Sequence, residues 1–315
     1  MIAEATTMSA ILSWGLDVVR GAQSHASPTL TFAMKAFSLM GTEFCFLAIL
    51  PLVYWCIDKR RGLRISVLVF LSTAINLRLK LFFAQPRPYD LDPSLGMAKE
   101  HTYGLPSNHA MTSAVLGGSA APLFRRPWGL VIALAFPFFV GISRIYLGVH
   151  FPTDVLAGWA LGAAVVGLDA LLGDRIELLM SELRESLAMA IVAAVALCMN
   201  VLSRNETSLG GAFFGFAGAA ILARNTAPFS AEKGGVWKKA LRYLVGMATV
   251  AIVYALPKLL LAELEAGGPP LVRFLRYALV GAWVAAGAPW LFLKLGLAES
   301  EPHSASEKEG SEISK

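Results

Sequence analysis

The feature that most constrains this chain is a recurring block of about 20 apolar, nearly uncharged residues, the length an α-helix needs to cross the hydrocarbon core of a bilayer. Such blocks fall near 36–57, 63–83, 109–124, 128–149, 153–172, 187–203, 208–223, 239–260 and 272–293. Inside hydrocarbon every backbone N–H and C=O must be bonded within the protein, so blocks of this kind become helices. The expected fold is therefore all-α, a polytopic membrane helix bundle of about nine transmembrane helices. Composition supports this: 56% of the residues are hydrophobic and 16% charged, against roughly 45–50% and 25% in globular proteins. Two soluble domains, which the length alone would permit, are disfavoured.

The net charge of +5 does not indicate a nucleic-acid partner, because the basic residues sit in links and at helix ends, where topology calls for them. Cys45, Cys56 and Cys198 all lie in apolar blocks, share no metal-ligand spacing and are odd in number, so they read as buried thiols. Glu4, Asp17 and Arg20 interrupt residues 1–25, which therefore lack the form of a signal peptide; residues 1–35 read as an N-terminal interfacial segment. Residues 36–203 hold six spans, 204–297 three more, and 298–315 form a polar tail expected to be disordered. Links on one side carry Lys59, Arg60, Arg61, Arg125, Arg126, Arg175, Arg184, Arg224 and Lys233, so that side, with the C-terminus, is expected to be cytoplasmic.

Three segments gather nearly all the unusual polar residues, and the span count puts all three at the opposite, extracytoplasmic face. The first is Lys80-Leu-Phe-Phe-Ala-Gln-Pro-Arg87-Pro88, where a lysine in an apolar helix needs either to snorkel or to meet an anion. Next comes Pro106-Ser107-Asn108-His109, opening a helix whose free N–H groups form an anion-attracting end that Ser107 can cap. Last is Ser143-Arg144-Ile-Tyr-Leu-Gly-Val-His150-Phe-Pro-Thr-Asp154.

Together Lys80, Arg87 and Arg144 supply enough positive charge to neutralise a phosphate dianion and the charge that develops as a nucleophile attacks phosphorus. Pro152 suits the first turn of a helix, so Asp154 can return to hold one nitrogen of His150 and leave the other free to attack. His109 can protonate the leaving oxygen and later activate water. No metal site or cofactor is expected, because the nearby acids Asp90, Asp92 and Glu100 are spread along a link and read as solvated loop charges. His25 and His303 read as surface residues and His101 as loop.

These segments resemble the three-part signature of the type 2 phosphatidic acid phosphatase superfamily, K-x6-R-P, P-S-G-H and S-R-x5-H-x3-D. The first and third match in full; the second departs at Asn108, where glycine is usual. The resemblance covers about residues 36–172 and implies a six-helix core completed by the sixth span. It further implies that His150 is the nucleophile, forming a phosphohistidine, with Asp154 its partner and His109 the acid/base. Lys80, Arg87, Ser107, Asn108 and Arg144 would form the phosphate cradle. The three further spans and the stretch from Ser143 to Pro152 are similar to the sphingosine-1-phosphate phosphatase and glucose-6-phosphatase branch.

The reading that follows is a metal-independent, membrane-integral phosphatase for a lipid phosphate or diphosphate, its site on the extracytoplasmic face and its substrate drawn from the bilayer. A soluble sugar phosphate is the alternative substrate. A catalytically inactive lipid carrier or scaffold is the alternative class, against which the presence of His109, His150 and Asp154 speaks. Vanadium haloperoxidases share this kind of oxyanion site but are soluble. For residues 204–297 two roles are open, widening of a lipid entrance and contact in a homodimer.

Overall fold

The computed structural model describes residues 2–202, 206–226, 228–260 and 269–300, with side chains from residue 10 onward except at 225. Among these residues every regular element is a helix. In chain order the helices are α1 (Ile2–Gln23), α2 (Pro28–Met40), α3 (Glu43–Cys56), α4 (Lys59–Phe83), the short α5 (Pro88–Leu91), α6 (Asn108–Ala120) and α7 (Trp128–Tyr146). They continue as α8 (Pro152–Glu182), α9 (Glu185–Leu202), α10 (Thr207–Thr226), α11 (Val236–Leu260), α12 (Pro270–Ala282) and α13 (Ala288–Lys294), with a π-helical turn, Trp283–Gly287, between the last two.

Among the described residues seven helical stretches are long and apolar enough to cross a membrane: Lys59–Leu91, Trp128–Tyr146, Pro152–Glu182, Glu185–Leu202, Thr207–Arg224, Val236–Leu260 and Pro270–Lys294. The pair α2 and α3, bent by 53° at a short break, raises the number to as many as eight. The sequence count of about nine differs at two blocks. Block 36–57 is divided between α2 and α3 at Gly41 and Thr42. Block 109–124 becomes α6, 13 residues long, which at 1.5 Å per residue extends only about 20 Å. Most of α6 is buried, and a helix enclosed by protein need not match the bilayer's thickness. The link expected at 173–186 is also mostly helix. The charges at Asp174, Arg175 and Glu177 end the apolar run without ending α8, which continues to Glu182.

The chain divides into two compact units. The first comprises Met1–Leu47 and Leu68–Leu178 and contains all three polar segments. Its N-terminal helix is tied down near the link after α5: Arg20 pairs with Asp92 at 2.8 Å, and Gln23 donates to the carbonyls of Leu95 (2.9 Å) and Tyr146 (2.8 Å). Ser27 caps α2 by accepting from Leu30 N–H, and Tyr146 Oη meets Thr31 Oγ1 at 2.8 Å. Small residues let α8 press on α6. A Cβ on Gly158 would stand 2.6 Å from Ser107 O, and one on Gly162 would stand 2.6 Å from Met111 O, so any larger residue would push the two backbones apart.

The second unit comprises Ala48–Val67 and Leu179–Lys315. At its centre Arg242, fully buried, donates to the carbonyls of Trp55, Ser230, Ala231, Lys233 and Leu297. Those five oxygens offset the cost of desolvating its charge. Tyr54 Oη and Trp55 Nε1 donate to Ala285 O and Val284 O, carbonyls of the π-helical turn, where the regular i to i−4 ladder is interrupted. The tail beyond Ser300, where disorder is expected, and His303 lie outside the described residues.

Candidate active site

The first polar segment begins in the last turn of α4. Lys80, 4% exposed, donates through Nζ to the carbonyls of Tyr103 and Gly104. Beyond Phe83 the helix stops at Ala84, whose φ of 46° lies in the left-handed region, and the chain runs extended into Arg87 before Pro88 opens α5. Arg87, 2% exposed, uses every N–H it has. Nε donates to Thr102 O (2.6 Å), and Nη2 to Thr102 Oγ1 (3.1 Å) and Tyr103 O (3.1 Å). Nη1 reaches Val149 O (2.7 Å) and His150 Nε2 (3.2 Å). A guanidinium has five N–H donors, and here there are five acceptors.

The third segment joins α7 to α8. After Tyr146 the chain turns through Gly148, which has φ of +69° and would place a Cβ only 2.0 Å from Leu95 O, so glycine is required there on both counts. Val149 N–H donates to Arg144 O, and Pro152 starts α8. One turn in, Asp154 Oδ2 accepts from Phe151 N–H (3.0 Å) and faces His150 Nδ1 at 3.1 Å, while Oδ1 accepts from Gln85 Nε2 at 2.7 Å. Because a guanidinium cannot accept, the contact with Arg87 makes Nε2 the lone-pair nitrogen of His150; the ring proton is on Nδ1, donated to Asp154. Burial, then the charges of Arg87, Lys80, Arg144 and His109, hold the His150 pKa well below its ordinary value, so the ring is neutral at pH 7.

At the start of α6 Ser107 is the N-cap: its Oγ accepts from Ala110 N–H at 3.4 Å, and its own N–H donates to Asp154 O at 2.9 Å. Asn108 Oδ1 and His109 Nε2 are buried and have no hydrogen-bond partner among the described residues. Arg144, 3% exposed, donates through Nη1 to Ser38 Oγ and through Nη2 to the Glu100 carboxylate, while its Nε is buried without a partner among the described residues. Groups of this kind are costly to bury unless something completes them.

All eight residues singled out in the sequence lie in the first unit. Arg87, His150 and Asp154 form a bonded chain; Ser107 joins it through the backbone of Asp154, and Lys80 through the Tyr103 carbonyl it shares with Arg87. Arg144 stands apart from that chain, bonded to Ser38 and Glu100. Of the acids of the link, Glu100 is not the solvated charge expected, whereas Asp90 remains exposed and Asp92 partly so. Glu100 pairs with Arg144, Asp90 Oδ2 accepts from the backbone N–H of Arg87 at 2.8 Å, and Asp92 pairs with Arg20. Glu100 departs from the expectation because its stretch of the link meets the buried Arg144. Sequence reasoning also passed over Gln85, Ser38 and the oxygens of Thr102, Tyr103 and Gly104; only Gln85, inside the first motif, left a signal. Among the described residues no three His, Cys, Asp or Glu side chains gather as a metal site.

Fold and cluster together define a multi-pass integral membrane protein that encloses a nest of cations around two histidines. A family profile described as the PAP2 superfamily matches residues 61–172, and one described as PAP2 superfamily phosphatase, transmembrane extension, matches residues 207–300. The chain belongs to the PAP2 superfamily. It is 29% identical over 145 residues to sphingosine-1-phosphate phosphatase 2 of Mus musculus, covering 44% of this chain and 41% of that one. It is 31% identical over 142 residues to undecaprenyl-diphosphatase of Sulfolobus acidocaldarius, covering 43% of this chain and 66% of that one. With glucose-6-phosphatase 3 of Mus musculus the identity is 32% over 148 residues, covering 39% and 41% respectively. The chain thus spans well under half the length of the two mouse relatives.

Proposed function

We propose that the protein is a metal-independent phosphatase, embedded in the membrane, that hydrolyses a lipid phosphate or diphosphate monoester through a phosphohistidine on His150. The observation that carries this reading is the geometry at His150, whose Nδ1 faces Asp154 Oδ2 at 3.1 Å while Nε2 meets Arg87 Nη1 at 3.2 Å. In the first step Nε2 attacks phosphorus, the bond from phosphorus to the leaving oxygen breaks, and His109 gives that oxygen a proton. Water, deprotonated by His109, then attacks the same phosphorus. The N–P bond breaks, orthophosphate leaves, and both histidines return to their starting states. Lys80, Arg87, Arg144 and the N–H groups at the start of α6 stabilise the charge on the phosphoryl oxygens, with Ser107 and Asn108 completing the cradle.

A lipid substrate is favoured because two of the similar proteins are named for lipid phosphates. The glucose-6-phosphatase relative supports a second reading, a soluble sugar phosphate. The basic residues of the opposite links support an extracytoplasmic site, and the phosphatase core on this reading is residues 36–203. The test is phosphate release by purified protein in detergent from phosphatidic acid, sphingosine-1-phosphate, a polyprenyl diphosphate and glucose-6-phosphate, each with excess chelator. Lipid turnover in chelator supports the proposal. Turnover of the sugar phosphate alone selects the second reading, loss restored by Mg²⁺ overturns metal independence, and no release from any substrate overturns the activity.

A further inference from the structure

Gln85 belongs to none of the roles assigned so far, yet it is one of the few side chains that touch Asp154. It lies between Lys80 and Arg87, directly after the left-handed Ala84, and is 8% exposed; Asp154 is fully buried. Its Nε2 donates to Asp154 Oδ1 at 2.7 Å, shorter than either bond made to Oδ2. An ionised carboxylate only accepts, so the amide nitrogen must be the end of Gln85 that faces it. The backbone of Gln85 is itself held, its carbonyl accepting from Gly104 N–H at 2.9 Å. The carboxylate therefore has one oxygen fixed by a side chain from the end of α4 and the other shared between Phe151 N–H and the imidazole.

We propose that Gln85 is a positioning residue for the phosphatase reaction, fixing the Asp154 carboxylate so that Oδ2 stays directed at His150 Nδ1 and the lone pair on Nε2 stays directed at phosphorus. This rests on the phosphatase reading above. Without the amide donor, Oδ1 is buried with no partner and the carboxylate is free to turn about its Cβ–Cγ bond. The imidazole then loses its fixed acceptor, and both its tautomer and its aim become variable. Misplacement of a reacting group by about 1 Å can cost up to about 10²-fold. Gln85 does not touch the substrate, so the loss falls on kcat rather than on KM.

The decisive pair of variants is Gln85→Met and Gln85→Glu, assayed with p-nitrophenyl phosphate from pH 5 to pH 9 beside the wild type, with thermal unfolding in detergent confirming that each is folded. Gln85→Met removes the donor at every pH and lowers kcat by about 10- to 10²-fold with KM within about threefold and the profile unchanged in shape. Gln85→Glu can donate to Asp154 only while its own carboxyl is protonated; once ionised it repels Asp154. Its kcat falls progressively as pH rises, creating a limb that the wild type lacks over the same range. A purely packing role for Gln85 would lower both variants alike at all pH values, and that result overturns the proposal. So does a Gln85→Met kcat within twofold of the wild type. If the wild type itself releases no phosphate, the phosphatase reading falls and takes this proposal with it; wild-type turnover with an unaffected Gln85→Met overturns the proposal alone.

Discussion

Gly41→Ala separates the roles of the two histidines without replacing either. Gly41 closes α2 with φ −95° and ψ 4°, a conformation open to alanine, so the backbone itself raises no objection. The added methyl does: its Cβ would stand 2.9 Å from His109 Cδ2, 3.2 Å from His109 Cβ and 2.7 Å from Val140 Cγ1. Carbon atoms rest at about 3.5–4.0 Å, so about 1 Å of relief has to be found. Val140 is fully buried in α7 and has little room to retreat, so much of the displacement falls on the His109 ring. Nothing of His150, Asp154 or Arg87 lies among the nearest atoms. If His109 delivers the proton to the leaving oxygen, a shift of about 0.5–1 Å lowers kcat/KM for a dialkylglycerol phosphate by about 10- to 10²-fold. A nitrophenolate leaves without a proton, so p-nitrophenyl phosphate should change by no more than about threefold. Both are measured on the same detergent-solubilised preparation, with a melting curve to confirm folding, since overpacking costs about 1–3 kcal/mol. Equal losses on the two substrates would refute the division of labour between the histidines.

His150→Ala should abolish turnover and leave no acid-labile phosphoenzyme, whereas His109→Ala should still trap label on His150 from the aryl phosphate; label on His109, or a trapped species in His150→Ala, reverses the assignment. With p-nitrophenyl phosphate, whose leaving group needs no proton from His109, the pH profile of kcat/KM should keep its full height down through pH 6.5, the ordinary histidine value, because burial and the neighbouring cations lower the pKa of His150 and the nucleophile is lost only as pH falls through that lowered value. An acid limb centred at or above 6.5 would show that His150 is not the group kept neutral. On topology, a cysteine replacing Asp92 should react with an impermeant thiol reagent applied from outside intact cells; reaction only after permeabilisation inverts the orientation.

Helicity and the existence of the spans were legible because hydrocarbon leaves the backbone few choices, and runs such as 187–203 became helices with nearly the expected ends. The number of crossings was not legible at α6 or at the break between α2 and α3. Apolarity records that a segment avoids water; it does not record whether protein or lipid surrounds it, and α6 is surrounded largely by protein. The spacing of three residues between His150 and Asp154, with Pro152 between them, fixes one helical turn and so contains their contact. The Glu100–Arg144 pair joins residues 44 apart on different elements, and nothing local to either position encodes it. Gln85 is intermediate: it stood in view inside the first motif, but its partner lies 69 residues away, so its place beside Asp154 follows only from how the end of α4 meets the start of α8.

If the cluster binds the substrate's phosphate as proposed, the bonding around Arg87 constrains how that phosphate enters. With all five N–H groups engaged, a phosphate oxygen can reach the guanidinium only by taking the place of an acceptor already there. Val149 and His150 are buried, whereas Thr102 and Tyr103 lie on an exposed stretch of the link before α6. Exchange therefore falls on the oxygens of Thr102 and Tyr103. The same stretch supplies the Tyr103 and Gly104 carbonyls to Lys80 and the Glu100 carboxylate to Arg144, so residues 100–104 hold acceptors on all three cations at once. Phosphate binding on this reading is a substitution, in which oxygens of the chain give way to oxygens of the substrate. Most of the departing acceptors are neutral carbonyls, which meet only the donor's charge, whereas the incoming phosphate oxygens are anionic and can pair with a guanidinium in the bidentate geometry that suits it. The gain thus lies in the charge of the head group. A neutral lipid of the same shape offers the three cations nothing better than what residues 100–104 already provide, and it leaves the cluster closed.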